Sequence, residues 1–388
     1  MFYKQILDFD FRKLDFFLIS LFLLLGIIGL LVLTTASVHF SDSLYANPTY
    51  ILNKQILHLL LGLIFLVTIF LMPLNFWSQF DRWLLALGII LLILVFIPGI
   101  GLEVNGSNRW IRLFGFSLQP SEIMKFLSIL YISTYCVRRI ELVQNDIFSF
   151  IRPAVLLVAI ISLILIQPDL GASAVIFVAA LGVLFVAGVP IRQFILVFLI
   201  GLIGIVLLIT YVPWRWERII SFVDPWSDPF DKGYQLTLSL MSIGRGDWFG
   251  VGLGQSLMKM GYLPDAHTDF IFSILIEELG LLTGILIVGM LFGISFRIFL
   301  IGRQSLQRRY HFGFFFCFGA AILIGLHVFI NVGVAIGLLP TKGLTLPLFS
   351  AGGTNILIMC SMIGLILRID YENKISMPIA SAKRRVNF

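Results

Sequence analysis

The stretch Leu14–Ala36, with the sequence LDFFLISLFLLLGIIGLLVLTTA, decides the class of this protein. A helix needs about 20 predominantly apolar residues to cross the hydrocarbon core of a bilayer, and this stretch supplies that length with Asp15 as its one charged residue. The apolar region of a signal peptide is shorter, about 7–15 residues, and a cleavage site follows it. We therefore expect residues 14–36 to form a retained transmembrane helix.

The rest of the chain has the same character. Of its 388 residues, 59% are hydrophobic and 12% are charged, and the mean hydropathy is +1.02. A soluble domain carries about 25% charged residues, so this chain could not cover its own surface with polar groups and must face lipid. The composition predicts an all-α integral membrane protein that forms a single polytopic domain over residues 1–388.

Apolar runs of transmembrane length recur along the chain and predict about ten membrane-spanning helices. The two shortest runs are separated by Gln167–Gly171, where proline and glycine predict a tight turn near the membrane surface. The three cysteines, Cys136, Cys317 and Cys360, lie in apolar runs and fit packing residues better than a disulfide framework or a zinc site. The predicted spans are residues 14–36, 55–74, 83–101, 120–137, 153–167, 171–189, 191–212, 268–296, 312–339 and 345–369.

Lysine and arginine residues collect in alternate connections, as they do in the cytoplasmic loops of membrane proteins. This bias predicts a cytoplasmic N-terminus at residues 1–13 and a cytoplasmic C-terminal tail at residues 370–388, and it accounts for most of the net charge of +6. No basic face with interleaved aromatic residues occurs outside the predicted spans, so we do not expect a nucleic acid partner.

The connection at residues 213–267 is far longer than any other and falls on the extracytoplasmic side. Its tryptophans favour the headgroup level, and its proline, aspartate and glycine content favours turns over a packed domain. Loops of this length are usually functional. An interfacial loop that only re-enters the headgroups explains the same residues, and both interpretations stay open.

Ionisable residues at membrane depth are costly and mark functional sites. Glu122 and Lys125 lie three residues apart at the start of the fourth span, where they share a helix face and can form an ion pair. This pair either contributes to a site or only braces the helices. Asp269, at the outer mouth of the eighth span, either carries chemistry or caps its helix, a position that aspartate favours.

Several basic residues run against the cytoplasmic bias and lie in connections on the outer side. Beside acidic groups at helix mouths, they suit an anionic headgroup such as a lipid diphosphate. Contact with anionic phospholipid of the outer leaflet explains them nearly as well. These residues are Arg109, Arg112, Arg215, Arg218 and Lys342.

Short polar motifs recur at the outer ends of the predicted spans. They are Asn105-Gly106 with Arg109-Trp110-Ile111, Gln119-Pro120-Ser121-Glu122, Gln167-Pro168-Asp169-Leu170-Gly171, Asp228-Pro229, Leu263-Pro264-Asp265-Ala266-His267-Thr268-Asp269-Phe270-Ile271-Phe272, Glu277-Glu278-Leu279-Gly280, and Pro340-Thr341-Lys342-Gly343-Leu344-Thr345-Leu346-Pro347. With these motifs the chain resembles the SEDS family (shape, elongation, division and sporulation) over about residues 14 to 370. Lys342 makes the last motif similar to the division branch, FtsW, more than to the elongation branch, RodA. After Pro347 the chain reads Ser350-Ala351-Gly352-Gly353-Thr354, where the family usually has Ser-Tyr-Gly-Gly-Ser.

The resemblance implies the SEDS fold and a peptidoglycan glycosyltransferase, which polymerises lipid II into glycan strands for septal wall synthesis during cell division. It implies that Asp269 is the general base. The lipid diphosphate would be neutralised by basic residues or by a divalent cation, magnesium or manganese. Substrate-binding roles are implied for Arg109, Trp110, Glu122, Lys125, Arg215, Arg218, His267, Thr268 and Lys342. Structural roles are implied for Asn105, Gly106, Pro120, Ser121, Gln167, Pro168, Asp169, Gly171, Glu277, Glu278, Gly343 and Pro347.

The same resemblance implies the setting. The expected partners are lipid II, the lipid bilayer, a class B penicillin-binding protein of the FtsI type and other divisome membrane proteins. The expected place is the bacterial inner membrane at the division septum. The alternatives are an elongation-type polymerase, a lipid II flippase and a divisome scaffold. A transporter should show paired broken helices in matching halves, and the sequence shows no internal repeat, which favours chemistry at the outer face.

Overall fold

The computed structural model describes residues 10–104, 107–113 and 116–375. The predicted motif residues Asn105 and Gly106 lie outside the described residues, as does most of the predicted C-terminal tail. Within the described chain, thirteen α-helices and one three-stranded antiparallel sheet follow a 3-10 helix at Phe11–Lys13. In chain order they are α1 (Phe16–Tyr45), α2 (Tyr50–Leu71), α3 (Leu74–Leu94), β1 (Gly101–Val104), β2 (Ser107–Leu113), β3 (Phe116–Leu118), α4 (Pro120–Arg138), α5 (Ile140–Asn145), α6 (Ile147–Ile166), α7 (Leu170–Val186), α8 (Ile191–Thr210), α9 (Pro213–Val223), α10 (Tyr234–Gly246), α11 (Ile271–Gln307), α12 (His311–Ala335) and α13 (Gly353–Ile375).

Each predicted span overlaps a helix, and the prediction of an all-α membrane fold is confirmed. The last span begins later than predicted, because residues 345–352 form a connection before α13. By length and composition, seven described helices can cross a membrane: α1, α2, α3, α8, α11, α12 and α13. Two shorter apolar helices, Phe150–Ile166 within α6 and Leu170–Val186, lie on either side of the predicted turn at Gln167–Gly171. Helix α4 carries Glu122 and Lys125, and these charges lower its hydropathy.

Several helix bounds differ from the predicted spans for local reasons. Helix α1 begins where the Asp15 carboxylate accepts a hydrogen bond from the backbone N–H of Leu18, and it continues to Tyr45, well beyond the apolar run. Helix α3 begins directly after Pro73 and ends at Leu94, so it lies closer to the N-terminus than the predicted span 83–101. Proline suits the start of a helix because its missing N–H would have no partner there.

The interior is formed mainly by α4, α7, α12 and α13, whose residues are largely buried. Helix α13 packs on α2, and α12 packs on α11. The three cysteines are buried and free within these helices, which confirms their prediction as packing residues. By contrast, α8 has no buried residue and contacts its chain neighbours α7 and α9, so nearly all of its surface is left to lipid.

The three-stranded sheet between α3 and α4 was not predicted. Strand β2 pairs with β1, with Leu102 opposite Trp110, and with β3, with Ile111 opposite Leu118. Ile111 is buried against the helices. The sheet therefore fixes the position of the two residues that precede Ile111, Arg109 and Trp110, at the outer end of the bundle.

In the long connection at residues 213–267, turns and bends surround two helices, α9 and α10, which were not predicted. Helix α10 packs on the first part of α11 and buries Leu236, Ser239 and Ser242. The Ser239 and Ser273 hydroxyl oxygens lie 2.6 Å apart between the two helices. Small side chains allow this close packing, and their hydroxyls supply interhelical hydrogen bonds.

Helix α11 is interrupted at Gly280, where φ is +84° and ψ is 164°. The segment after α10 fills the interruption: Val251 N–H donates to the Glu277 carbonyl at 2.9 Å, and Leu281 N–H donates to the Asp247 carbonyl at 2.9 Å. Buried backbone groups need such partners, so this segment replaces the helical hydrogen bonds that the interruption removes. Helix α11 thus consists of two helices that meet at Gly280, and the segment at residues 247–252 supplies hydrogen-bond partners there.

We expect Gly280→Ala to destabilise the protein, because an L-residue at this φ and ψ is strained by about 1–3 kcal/mol. A Cβ at Gly280 would also clash with the Trp248 carbonyl oxygen. The matched control is Gly289→Ala in the same helix, where a Cβ would have nothing within 4 Å. Thermal unfolding in detergent should give a lower midpoint for Gly280→Ala than for Gly289→Ala. Equal midpoints would contradict the strained junction.

Candidate functional site

A cavity of about 460 Å³, here called the outer cavity, lies at the end of the bundle that the charge bias predicts to face outward. It is bounded by β2, by the N-terminal ends of α4 and α7, by α9, and by the connections before α11 and α13. This volume is within the range of about 300–1,000 Å³ that is typical of ligand sites. The predicted site residues that line it are Arg109, Trp110, Glu122, Pro168, Asp169, Gly171, Arg215, Arg218, Thr268, Asp269, Lys342 and Gly343.

Two residues that were predicted to contact substrate do not line the outer cavity. Lys125 is 1% exposed, and its Nζ lies 2.6 Å from Glu122 Oε1 and 2.9 Å from His327 Nε2. The predicted ion pair is thus confirmed, but Lys125 lies beneath Glu122 and points inward. The His267 ring packs against Phe40, with the ring centroids 4.3 Å apart.

Asp269 lies in a connection just before α11, residues 265–270, which we call the aspartate turn. The N-cap residue of α11 is Phe270 and no side chain caps this helix, so the alternative of a capping aspartate is wrong. The Asp269 carboxylate is partly exposed, towards the outer cavity, and it accepts no hydrogen bond from any of the described residues. Burial by the surrounding protein raises the pKa of Asp269 to about 7, and the charge of Asp265 raises it further against the opposing effect of Arg109 and Arg218.

Gly343 faces the Asp269 carboxylate from a second connection, residues 340–347, which we call the lysine loop. A Cβ at Gly343 would lie 3.0 Å from Asp269 Oδ2. The backbone of the lysine loop is therefore packed directly on the carboxylate, and a larger residue would push against it. Lys342 directly precedes Gly343 in the chain, so it lies next to the residue that contacts Asp269.

Side chains from the helices hold both connections in place. The Asn331 amide donates hydrogen bonds to the carbonyl of Asp269 at 2.9 Å and to the carbonyl of Leu344 at 2.6 Å. The Ser350 hydroxyl donates to the Thr268 carbonyl. Asn331 and Ser350 were not predicted as site residues, although an amide within the apolar run of α12 is the kind of signal that marks a functional position in a membrane helix.

Basic side chains give the outer cavity a positive side. Burial lowers the pKa of Lys342 to about 8, and the nearby charges of Arg215 and Arg218 lower it further. Burial also lowers the pKa of Arg218, and the nearby charge of Arg109 lowers it further. Cations that lower one another's pKa are held at a cost, and a bound anion would remove that cost.

The guanidinium of Arg109 is engaged by two backbone carbonyls. Nε donates to the Gln167 carbonyl at 2.8 Å, and Nη2 donates to the Pro168 carbonyl at 2.9 Å. Arg109 therefore fastens the sheet to the turn between α6 and α7. Its charge still acts on the outer cavity.

The acidic residues Asp169 and Glu122 are engaged as well. Asp169 caps α7 by accepting from Ala172 N–H at 3.0 Å, and it accepts from the Ser121 hydroxyl at 3.0 Å. Besides Lys125, Glu122 accepts from the Asn355 amide at 3.3 Å. Across the part of the chain that is described, no three His, Cys, Asp or Glu side chains are grouped to hold a metal ion. These residues do not fit the expected divalent cation, and we derive no step through one.

The remaining predicted motif residues serve the framework around the cavity. Gln167 donates to the Leu92 carbonyl at 3.0 Å, Pro120 occupies the first turn of α4, and Pro347 is buried in the connection before α13. Glu278 pairs with Lys259 at 2.6 Å. Glu277 is fully buried and accepts from the hydroxyls of Ser242 and Ser256, from Leu257 N–H and from Arg245.

Comparison with known proteins gives consistent matches over nearly the whole chain. The family model of FtsW, RodA and SpoVE, described as cell cycle protein, matches residues 15–375. A probable peptidoglycan glycosyltransferase FtsW of Saccharophagus degradans is 41% identical over 93% of this chain and 94% of its own length. A solved structure of a peptidoglycan synthase complex, which coordinates polymerisation and crosslinking, contains a chain with a TM-score of 0.76 and 27% identity, over 94% of this chain and 99% of that one. The Thermus thermophilus rod shape determining protein RodA has a TM-score of 0.69 and 26% identity, over 93% and 97% of the two chains.

We expect Glu277→Leu to destabilise the protein by about 3–5 kcal/mol, because it leaves Arg245 and two serine hydroxyls without their buried acceptor. The control is Glu217→Ala, which removes an exposed ion pair with Lys232 at 3.2 Å and should change stability by about 1 kcal/mol or less. Denaturant titration of both variants in detergent measures the difference. If Glu277→Leu unfolds like Glu217→Ala, the network does not hold α10 on α11.

Proposed function

The chain belongs to the FtsW, RodA and SpoVE family of cell cycle proteins and is a multi-pass membrane peptidoglycan glycosyltransferase, and we propose that it polymerises lipid II with Asp269 as the general base. One observation carries this assignment of Asp269. Its carboxylate faces the outer cavity without a partner among the described residues, opposite a group of cations. A free carboxylate beside an anion-binding surface suits an acid–base step on a substrate that carries a diphosphate.

The reaction joins two sugars without a covalent enzyme intermediate. The 4-hydroxyl oxygen of the acceptor lipid II forms a bond with the anomeric carbon of the growing strand, and the bond from that carbon to the lipid diphosphate breaks. The hydroxyl proton passes to the Asp269 carboxylate. Direct attack inverts the α-linked diphosphate to a β-linked glycan.

One carboxylate suffices for this reaction, whereas glycosidases use two. In a glycosidase the second carboxyl group commonly protonates a poor leaving group. A lipid diphosphate leaves as a stable anion, so it needs positive charge more than it needs a proton. Lys342, Arg215 and Arg218 supply that charge from the same side of the cavity.

The pKa of about 7 suits Asp269 for its role. A general base works best when its pKa lies near the working pH, since it must be ionised and still hold a proton strongly. Desolvation supplies this shift.

The other cavity residues surround the substrate. Trp110 and Thr268 contact the sugars, and Glu122 closes the inner end of the cavity beside the start of α4. Arg109 supports the wall by holding the turn at Gln167 and Pro168. Lys125 and His267 act indirectly, by fixing Glu122 and the aspartate turn.

The cellular setting follows from the relatives. The FtsW relative is 41% identical, whereas the RodA structure is 26% identical, which supports the division branch and septal wall synthesis. The solved synthase complex supports a crosslinking partner, a class B penicillin-binding transpeptidase, beside other divisome membrane proteins. The chain then lies in the inner membrane with both termini cytoplasmic and the outer cavity facing outward.

Transport of lipid II is the competing function, and the interruption of α11 bears on it. In transporters, broken helices expose their free ends to a substrate site near the midplane. Here the loop segment at residues 247–252 occupies the interruption, and Gly280 does not line the outer cavity. The interruption therefore supports packing of α10 and does not support a transport path.

We expect Asp269→Asn to lose polymerisation of labelled lipid II by about 100-fold or more, because general-base catalysis contributes about 10²–10⁴-fold. Purified protein with its transpeptidase partner is the sample. The matched control is Asp231→Asn, an exposed carboxylate between α9 and α10, which should polymerise at the wild-type rate. Full activity of a folded Asp269→Asn variant would exclude Asp269 as the base.

We expect the rate to follow a bell-shaped pH profile. It rises as Asp269 ionises through about pH 7 and falls as Lys342 loses its proton near about pH 8. Asp265→Asn removes a charge that raises the Asp269 pKa, so the acidic limb should move to lower pH. Lys342→Arg keeps its charge, so the basic limb should move to higher pH. Limbs that stay in place in both variants would contradict these assignments.

A further inference from the structure

Asn331 is a buried amide that joins two separate parts of the site. It lies on α12 with 2% of its surface exposed, in a helix that is otherwise strongly apolar. One side-chain amide has two N–H donors. Here both are used, one on the carbonyl of Asp269 at 2.9 Å and the other on the carbonyl of Leu344 at 2.6 Å.

The two carbonyls belong to the aspartate turn and the lysine loop, which are about 75 residues apart in the sequence. Neither connection is a helix or a strand. The distance between the aspartate turn and the lysine loop is therefore not set by a regular backbone ladder, and it depends on other contacts. Gly343 also packs on the Asp269 carboxylate, but this contact includes no hydrogen bond. Two hydrogen bonds between these parts of the chain lie further back, where Ser350 Oγ donates to the Thr268 carbonyl and Ala351 N–H donates to the His267 carbonyl. Asn331 acts at Asp269 itself.

The orientation of the amide is fixed by these contacts. Turning it over would place Oδ1 against two carbonyl oxygens, which repel it. In the observed orientation, Oδ1 is buried and has no hydrogen-bond partner among the described residues. An unsatisfied buried oxygen is costly, and a purely apolar contact would avoid that cost. The two N–H donors of Asn331 are therefore the feature that favours an asparagine at this position.

We propose that Asn331 is a positioning residue that sets the distance between the Asp269 carboxylate and the Lys342 ammonium. This inference rests on the proposed function, because it concerns the base and the cation of that reaction. The base must reach the acceptor hydroxyl while the cation stays on the leaving diphosphate. A fixed separation lets one bound pair of substrates meet both groups.

A double-mutant cycle tests the proposal through polymerisation rates of purified protein with labelled lipid II. The variants are Asn331→Ala, Lys342→Met and the two combined. We expect each single change to lower the rate by about 10–100-fold, since misplacement by about 1 Å can cost that much. The double variant should be no more than about threefold slower than the slower single variant, because Lys342 is already misplaced.

Multiplying effects would overturn the proposal. If the double variant loses the product of the two single losses, Asn331 and Lys342 act independently. The control is Asn373→Ala, another asparagine with 2% exposure, whose Nδ2 donates to Ser305 Oγ at 2.7 Å, away from the outer cavity. It should keep the wild-type rate and should combine multiplicatively with Lys342→Met.

Two further measurements separate the possible failures. Amide hydrogen exchange should become faster together in residues 265–270 and 340–347 of Asn331→Ala, and unchanged exchange in either segment would count against the link. Asn331→Ser retains one small donor, so its polymerisation rate should lie between those of wild type and Asn331→Ala. This variant replaces Asn331→Ala in the cycle if the alanine variant does not fold. Activity of Asp269→Asn would remove the general-base proposal itself, whereas a dead Asp269→Asn with a multiplicative cycle removes the Asn331 proposal alone.

Discussion

Charge in surroundings that water reaches poorly needs a partner, and the described residues meet this constraint with closely paired side chains. Each pair connects two helices, two turns of one helix, or a helix and the outer connection, so the pairs also fix the arrangement of the bundle. The Asp269 carboxylate stands apart, since it has no such partner and is left to the outer cavity. The paired groups are Glu122 with Lys125, Asp81 with Arg138, Glu277 with Arg245, Glu278 with Lys259, Asp15 with Arg297, Asp370 with Lys374, and Glu372 with Arg368.

The aspartate turn, the lysine loop and the turn at Gln167–Pro168 contribute backbone to the site outside any helix. Their backbone carbonyls are instead bound by side chains from the framework, Arg109 for the turn at Gln167–Pro168 and Asn331 for the aspartate turn and the lysine loop. This arrangement satisfies these carbonyls where no helix or strand does so. Under the proposed function, changes in Arg109 and Asn331 act on the reaction by shifting these segments.

The sequence allowed the membrane helices and part of the site to be predicted. Hydropathy suffices for helices because each apolar run of sufficient length must cross the bilayer as a helix. The spacing of Glu122 and Lys125 predicted their ion pair for a similarly local reason. Asp269 came from its motif and from its place at the mouth of a predicted span.

The features that could not be predicted from the sequence depend on contacts between distant segments. The sheet rests on short strands whose pairing is set by the outer ends of α3 and α4. Helix α10 is stabilised by packing on α11, which its own composition does not reveal. Lys125 and His267 are neighbours of cavity residues in the sequence, but their side chains project elsewhere. Asn331 could not be predicted because the two carbonyls that it binds come together only in the folded chain.

The interruption at Gly280 has a mechanical consequence. A continuous helix is stiff in torsion, so a twist at one end reaches the other. In α11 the axial hydrogen bonds pass instead into the segment at residues 247–252. The two parts of α11 therefore do not form one unbroken hydrogen-bonded rod. The part that begins at Ile271, next to Asp269, is held to the segment at residues 247–252 and to α10, so it is mechanically connected to these residues through direct contacts.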